Sequence, residues 1–282
     1  MSKKNFKKQY GEWALIVGAS TGFGEAWANE CAARGMNVIV CARRLNKLQE
    51  VTAKIRERYG VETREFVVDI SDDAACDTIL ENIAGLDIGF CIFNAAVEHV
   101  GDFILVDEKY HEQQIRGNAM TPMKLTWHLC RDMAKKNRGA ILLCSSMAGA
   151  ICDPYNSVYG GVKSFELSLA EGLWYEMKQY GVTVAGVMIG EIATPEYYRV
   201  KESLGQDVED QKNASTPEEA AAYVMDQFGK SPILYTSKHD ERTYKLLMYL
   251  PRAKAVTIMG DTMAKNFNSG YDLLDDEFTK IK

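Results

Sequence analysis

The chain has 282 residues, 46% of them hydrophobic and 26% charged, with a formal net charge of −6: enough for one large domain with a sizeable core, or one domain with an appendage. The acidic balance argues against a nucleic-acid partner, because phosphate recognition needs a basic face. Seven scattered cysteines without a C-x-x-C suit buried thiols in a reducing cytosol better than a disulfide framework, and four histidines without an H-x-x-x-H pair give no metal site.

In chain order, the basic start Met1 to Lys8 runs into Gly11-Glu12 instead of an apolar signal core. No run of about 18 apolar residues follows anywhere, so a cytoplasmic protein without stable membrane insertion is expected. Trp13 to Val17 is a short continuous apolar run, as expected of a strand buried on both faces. It ends in Gly18-Ala19-Ser20-Thr21-Gly22-Phe23-Gly24, and a helical pattern from Glu25 to Arg34 closes on Gly35. A second strand, Asn37 to Cys41, precedes a helix whose stripe is Leu45, Leu48, Val51, Ile55 and Tyr59. Phe66-Val67-Val68 reads as strand three, with Ser71-Asp72-Asp73 opening the next helix as a cap with acids in its first turn. Strand four is Ile88 to Phe93, and a long, mostly helical region covers roughly 107–136. The strand at 140–144, a helix carrying Tyr159 and Lys163, and the strand Val182 to Val187 complete the alternation.

Strands alternating with helices at this spacing predict right-handed crossovers: a doubly wound parallel α/β sheet in a single domain with a C-terminal helical extension. Residues 195–215 are polar and read as a mobile excursion; Thr216-Pro217-Glu218-Glu219 is a capping box with proline at the first helical position. Ser231 to Tyr235 reads as a last strand. The expected division is a dinucleotide-binding domain at 1–240, with a substrate loop at about 190–215, and an extension at 241–282.

Gly18, Gly22 and Gly24 lie between a strand and a helix. Gly18 allows a tight turn, Gly22 lets a pyrophosphate approach the backbone, and Gly24 lets helix and strand pack closely. The helix N-terminus then presents free N–H groups to the phosphates. Where an NAD site places a carboxylate at the end of strand two, this chain has Ala42-Arg43-Arg44, and a guanidinium there pairs with a 2′-phosphate; NADP(H) is therefore preferred over NAD. The plainer alternative is two solvated arginines at a helix start.

Tyr159 and Lys163, four apart, leave one face of a helix, and Ser146 lies thirteen residues before Tyr159 at the end of a strand. With 14 tyrosines, about one chance Y-x-x-x-K match is expected. A second one exists, Tyr197 to Lys201, but thirteen residues before Tyr197 is Val184, inside a strand, so this pair reads as a decoy.

Together, the glycine-rich first turn, Asn94 ending strand four, Asn118 on the next helix, Ser146 and Tyr159/Lys163 resemble the short-chain dehydrogenase/reductase family over roughly residues 11–195. The resemblance implies that Tyr159 is the general acid in ketone reduction and the base in alcohol oxidation. It implies that Lys163 holds the nicotinamide ribose and lowers the pKa of the tyrosine, whose ordinary value near 10 makes it a poor base. Ser146 would bond the substrate oxygen, with Ser145 the alternative, and Asn118 would hold a water in a proton relay ending at Lys163. Cofactor contacts implied in the same way come from Gly18, Ser20, Thr21, Gly22, Phe23, Gly24, Arg43, Arg44, Asp69, Ile70, Asn94, Tyr159, Lys163, Ile192 and Thr194. A homo-oligomer, dimer or tetramer, is implied through the helices at 107–136 and 156–180. The chain departs from the family at Asn94-Ala95-Ala96, usually N-A-G, and at Ile189-Gly190, usually Pro-Gly; both substitutions fall in the cofactor cleft.

Within the family, Tyr10-Gly11-Glu12-Trp13, Tyr59-Gly60-Val61-Glu62-Thr63 and Gly85 to Phe90 are similar to bacterial hydroxysteroid dehydrogenases of bile acids, the 7β type in particular. The expected substrate is thus a hydroxysteroid or another bulky apolar alcohol or ketone. A 3-oxoacyl or small-ketone reductase and a non-catalytic NADP-binding scaffold are the alternatives. The tail, with Leu246, Leu247, Met248, Leu250 and Met263 among basic residues, reads as a helix folded back on the domain or a partner subunit, a lid over an apolar substrate, or a membrane-surface contact.

Overall fold

The computed structural model describes residues 6–203 and 214–267. Seven strands form one parallel sheet in the order β3-β2-β1-β4-β5-β6-β7. They are β1 (Trp13–Val17), β2 (Asn37–Ala42), β3 (Thr63–Val67), β4 (Ile88–Phe93), β5 (Gly139–Cys144), β6 (Val182–Met188) and β7 (Ile233–Tyr235). The chain reverses its winding between β1 and β4, and ligands of open α/β sheets bind in the crevice at the carboxyl ends of strands flanking such a switch point. The expected fold, a doubly wound parallel sheet, is therefore the observed one.

The apolar runs have a direct cause. β1, β4 and β5 are buried along their whole length because helices cover both faces of the sheet. Alternate residues serve opposite layers. Ala14, Ile16, Val38 and Val40 pack with Trp27 and Val224 on one side, while Leu15, Val17, Ile39 and Cys41 pack with Ile79 and Leu129 on the other. The first layer holds α2 (Gly22–Ala33), α3 (Leu45–Tyr59) and α9 (Pro217–Gln227); the second holds α4 (Ala75–Asn82), α6 (Thr121–Lys136) and α7 (Ser157–Glu176).

Several expectations are corrected. Strand three starts at Thr63, earlier than Phe66, and as an edge strand it is only partly covered, which weakens its apolar signal. Ser71 does not open a helix: its N–H and hydroxyl both donate to Asp69 Oδ1 (3.0 and 2.7 Å), closing a turn, and α4 begins at Ala75. The region 107–136 is helical as expected, as α5 (Glu108–Ile115), a π-helical turn at Arg116–Met120, then α6. A short α1 (Phe6–Tyr10) was not legible in the sequence; Phe6 and Tyr10 are buried against Phe90 (ring centroids 5.3 and 5.7 Å), and Tyr10 also meets Phe228 (5.8 Å).

The capping box at Thr216 is present: its hydroxyl accepts from Glu219 N and its own N–H donates to the Glu219 carboxylate, both at 3.2 Å. The segment after β6 contains α8 (Pro195–Ser203), and β7 is followed by α10 (Lys238–Met248) and α11 (Arg252–Phe267). The rest of the expected substrate loop, 204–213, and the end of the extension, 268–282, lie outside the described residues. Among the described residues no helix is long and apolar enough to cross a membrane.

Candidate active site

The loop after β1 is shaped by what a Cβ would strike. Gly18 has φ +89° and a Cβ there would lie 2.5 Å from Ala95 N, so the loops after β1 and β4 touch through bare backbone. Asn94 seals that contact, its Nδ2 donating to Gly18 O (2.9 Å); it therefore braces the loop through its side chain. At Gly24 a Cβ would overlap the Gly18 carbonyl, so only glycine lets α2 start directly under β1. Gly22, at φ +61°, has Thr194 Cγ2 3.0 Å from the place of its missing Cβ.

Thr21 is extended and its side chain does not cap α2, so the first N–H groups of that helix stay open to an anion. This cradle fits a pyrophosphate. Ser20 and Thr21 offer their hydroxyls to Arg44 Nη2 (3.0 and 3.3 Å). Phe23, in contrast, is buried and packs at a tilt against Trp27 (ring centroids 4.7 Å), leaving only its backbone to the loop.

At the end of β2, Arg43 is exposed and lies 4.0 Å from Asp69 across a cleft of about 310 Å³ that also includes Val68 and Thr78. Ile70 is buried and its carbonyl accepts from Thr121 Oγ1 (2.9 Å), so its side chain belongs to the core. Ile192 is likewise a core residue, bridged through its backbone to Ser215. Thr194 accepts from Tyr197 N (3.2 Å) and starts α8 beside Gly22. In Ile189-Gly190 the glycine has a local reason: Gly190 N donates to Thr236 Oγ1 (3.0 Å), and a side chain at 190 would overlap the Asp240 carboxylate.

On the opposite wall, β5 delivers Ser145 and Ser146 to the crevice with opposite fates. Ser145 is buried and donates to Lys163 O (2.7 Å). Ser146 accepts from Ala148 N (3.2 Å), and its hydroxyl is close enough to the Tyr159 phenol to favour the ionised form. α7 places Tyr159 and Lys163 one turn apart, with Nζ 5.5 Å from the phenol ring centroid. Asn118 sits in the π-turn, fully buried, and both ends of its amide are occupied by Val97: Oδ1 accepts from Val97 N (2.9 Å) and Nδ2 donates to Val97 O (2.7 Å). π-Turns often mark functional positions.

The decoy pair Tyr197 and Lys201 lies on α8, with Lys201 Nζ 5.1 Å from the Tyr197 ring centroid.

Sequence reasoning missed the acids. Lys163 is only 1% exposed and donates to Cys144 O and to Glu166 Oε2, both at 2.9 Å. Glu166 is equally buried; its spacing from Lys163 on the apolar face of α7, among Val162, Leu167 and Ala170, was the readable signal. Glu98, in the loop after β4, accepts from Asn156 Nδ2, and Asp153 precedes that asparagine by one turn.

Burial pushes the Glu166 carboxyl up to about 7 against the lowering pull of Lys163. Asp153 is raised to about 6 by burial and then by Glu98, and Glu98 itself is raised by burial. Tyr159 stands well above the usual phenol range, from burial first, then Glu98 and Glu166; the Ser146 hydrogen bond opposes them. Burial and the carboxylates around the phenol therefore outweigh the groups that would bring it down. At neutral pH the phenol carries its proton, and next to a carbonyl it is a donor.

A family model described as short chain dehydrogenase matches residues 12–204. A 7beta-hydroxysteroid dehydrogenase of Collinsella aerofaciens is 36% identical over 80% of this chain and 86% of its own length. One from Mediterraneibacter gnavus is 32% identical over 79% and 85%. A solved structure described by the words "structural and biochemical insights into 7beta-hydroxysteroid dehydrogenase stereoselectivity" superimposes with a TM-score of 0.85 at 32% identity, covering 90% of this chain and 98% of the other. With a glycine cradle at the sheet's switch point and a hydroxyl, a phenol and an ammonium gathered at the carboxyl end of β5, the chain belongs to the short-chain dehydrogenase/reductase family and is an oxidoreductase of that family.

Proposed function

We propose that this enzyme is an NADP(H)-dependent hydroxysteroid dehydrogenase that interconverts a secondary alcohol and a ketone on a bulky apolar skeleton. The observation that carries the reaction is the Ser146–Tyr159–Lys163 group on the wall opposite the cradle. The substrate class rests on the similarity to the two 7beta-hydroxysteroid dehydrogenases.

Gly18, Gly22 and the start of α2 would hold the pyrophosphate, Asp69 the adenine edge, and Arg43 the 2′-phosphate, since no carboxylate ends β2 to favour a free 2′-hydroxyl. When bound, the cofactor supplies or accepts the hydride. Ser146 orients the carbonyl oxygen, and Tyr159 gives it a proton from its phenol. The raised phenol pKa keeps that proton in place through neutral pH, so Tyr159 stands ready as a donor to a ketone oxygen. Asn118 would hold a water of the proton relay, its side-chain amide being fixed at both ends by Val97. Lys163 is the group that hands the proton on.

Three further readings accompany this one. The outer face of α6 and α7, with Trp127 and Tyr180 exposed around an apolar groove, suits a second copy of the chain, giving a dimer or tetramer. The free, mostly buried cysteines suit the cytoplasm. The catalytic domain runs to about residue 240, where α10 carries the chain over into the extension, and the extension works as a lid: Arg252 donates to Ala150 O (2.8 Å) and Gly260 packs on Pro154, both in the loop before the Tyr159 helix.

The test is nicotinamide absorbance with NADPH and a panel of steroid ketones, small ketones and acyl thioesters. Wild-type turnover of a steroid ketone is expected, and Tyr159→Phe should lose nearly all of it, at least about 100-fold, while still binding NADPH. Turnover confined to acyl thioesters, or full activity in Tyr159→Phe, would overturn the assignment.

A further inference from the structure

Glu166 is a carboxylate with almost no access to water, set against the ammonium that serves the reaction. Both side chains are 1% exposed, and the distance between Nζ and Oε2 is 2.9 Å. Burying an ammonium costs several kcal/mol unless it is paired and hydrogen-bonded. Here Lys163 has the Cys144 carbonyl from β5 and the Glu166 carboxylate from its own helix. Glu166 Oε1 is buried with no hydrogen-bond partner among the described residues, so the carboxylate is held by Lys163 through one oxygen.

Its charge reaches further than its contact. Tyr159, Lys163 and Glu166 follow one another along the same face of α7, so the ammonium lies between the phenol and the carboxylate. The groups facing the phenol are Glu98 from the loop after β4, Asp153 from the loop before α7, Glu166 from α7 and the Ser146 hydroxyl; Glu98 is itself faced by Glu196 of α8. Those facing Glu166 are Lys163 and the buried Cys144 thiol, which Trp27 of α2 approaches.

We propose that Glu166 is a positioning residue of the active site: it holds the Lys163 ammonium against β5 and, as its counter-charge, limits how far Lys163 can favour the Tyr159 phenolate. The cation that should make the tyrosine a base is thereby partly neutralised, and the acid–base pair is biased toward donating a proton. This rests on the roles of Tyr159 and Lys163 proposed above.

Glu166→Gln tests it, because the amide oxygen still accepts from Lys163 while the charge is gone. Without that charge the phenol ionises more easily. The alkaline limb of ketone reduction and the acid limb of alcohol oxidation should both move down by about one pH unit. The shift should be visible above pH 7, where the wild-type carboxyl is ionised. In the protein without cofactor, the near-ultraviolet tyrosinate signal lost on adding Tyr159→Phe should also appear at lower pH in the Glu166→Gln background. Glu166→Asp keeps the charge and disturbs the packing; its limbs should stay at the wild-type pH with a reduced kcat. Unmoved limbs in Glu166→Gln, or limbs moved as far in Glu166→Asp, would overturn the proposal. Failure of the underlying assignment is seen separately, as activity that survives Tyr159→Phe.

Discussion

Arg43 and Arg44 are neighbours in the chain but face different parts of the cofactor cleft. Arg44 is bonded to the Ser20 and Thr21 hydroxyls of the phosphate loop, whereas Arg43 projects outward beside Asp69. Their substitutions should therefore separate. Arg43→Ala is expected to weaken NADPH about 10-fold, the scale of one charge-assisted bond at an exposed site, and to leave NADH unchanged. Arg44→Ala should weaken both, since the pyrophosphate is common to them. Fluorescence titration of each reduced cofactor reads the difference; equal loss of both cofactors in Arg43→Ala would remove the arginine from 2′-phosphate recognition.

The first crossover, β1 to α2, is the element on which the cleft depends, and it closes only because two backbones meet without side chains. A Cβ at Gly24 would fall within bonding range of the Gly18 carbonyl, which Asn94 holds in turn. Gly24→Ala must push α2 away from β1. The expected cost is at the upper end for overpacking, about 3 kcal/mol, seen as a lower Tm, together with loss of cofactor binding. A variant with normal Tm and normal NADPH affinity would show that the loop tolerates the displacement. The π-turn is a second such element. It follows α5 without a break and sets Asn118 against Val97, a placement that a regular helix over 107–136 does not foretell.

Across the whole molecule, the extension reaches the loop that leads into the catalytic helix. Arg252 bonds Ala150 O, and α11 lies over Pro154. If the extension acts as a lid, Arg252→Ala should raise KM for a steroid ketone about 10-fold, the loss of roughly one charged hydrogen bond, with little change in NADPH affinity or in turnover of a small ketone. Equal KM increases for large and small ketones would assign the contact to fold support alone. The carboxylates Glu98, Asp153 and Glu166 also act at this scale: two loops and a helix, distant in the chain, bring them around one phenol.

How much of this was legible depends on whether the signal was local. Apolar runs bounded by glycine report a strand covered on both faces, so the order of elements and the parallel sheet followed from the chain alone; edge strand β3, half covered, blurred its own start. The glycine spacing, Ser146, and the Tyr159/Lys163 pair were readable for the same reason, each set by a strand end or a helical turn. What tertiary structure decided was everything that depends on contact between distant segments. It buried Phe6 and Tyr10 under Phe90, turned Ser145 inward and Ser146 toward the phenol, and closed Asn118 on Val97. Above all it took Lys163 and Glu166 out of water together. The sequence alone singled out the groups proposed to do the chemistry; the charge each one carries was left to burial, because a protonation state depends on neighbours and solvent that no spacing along the chain encodes.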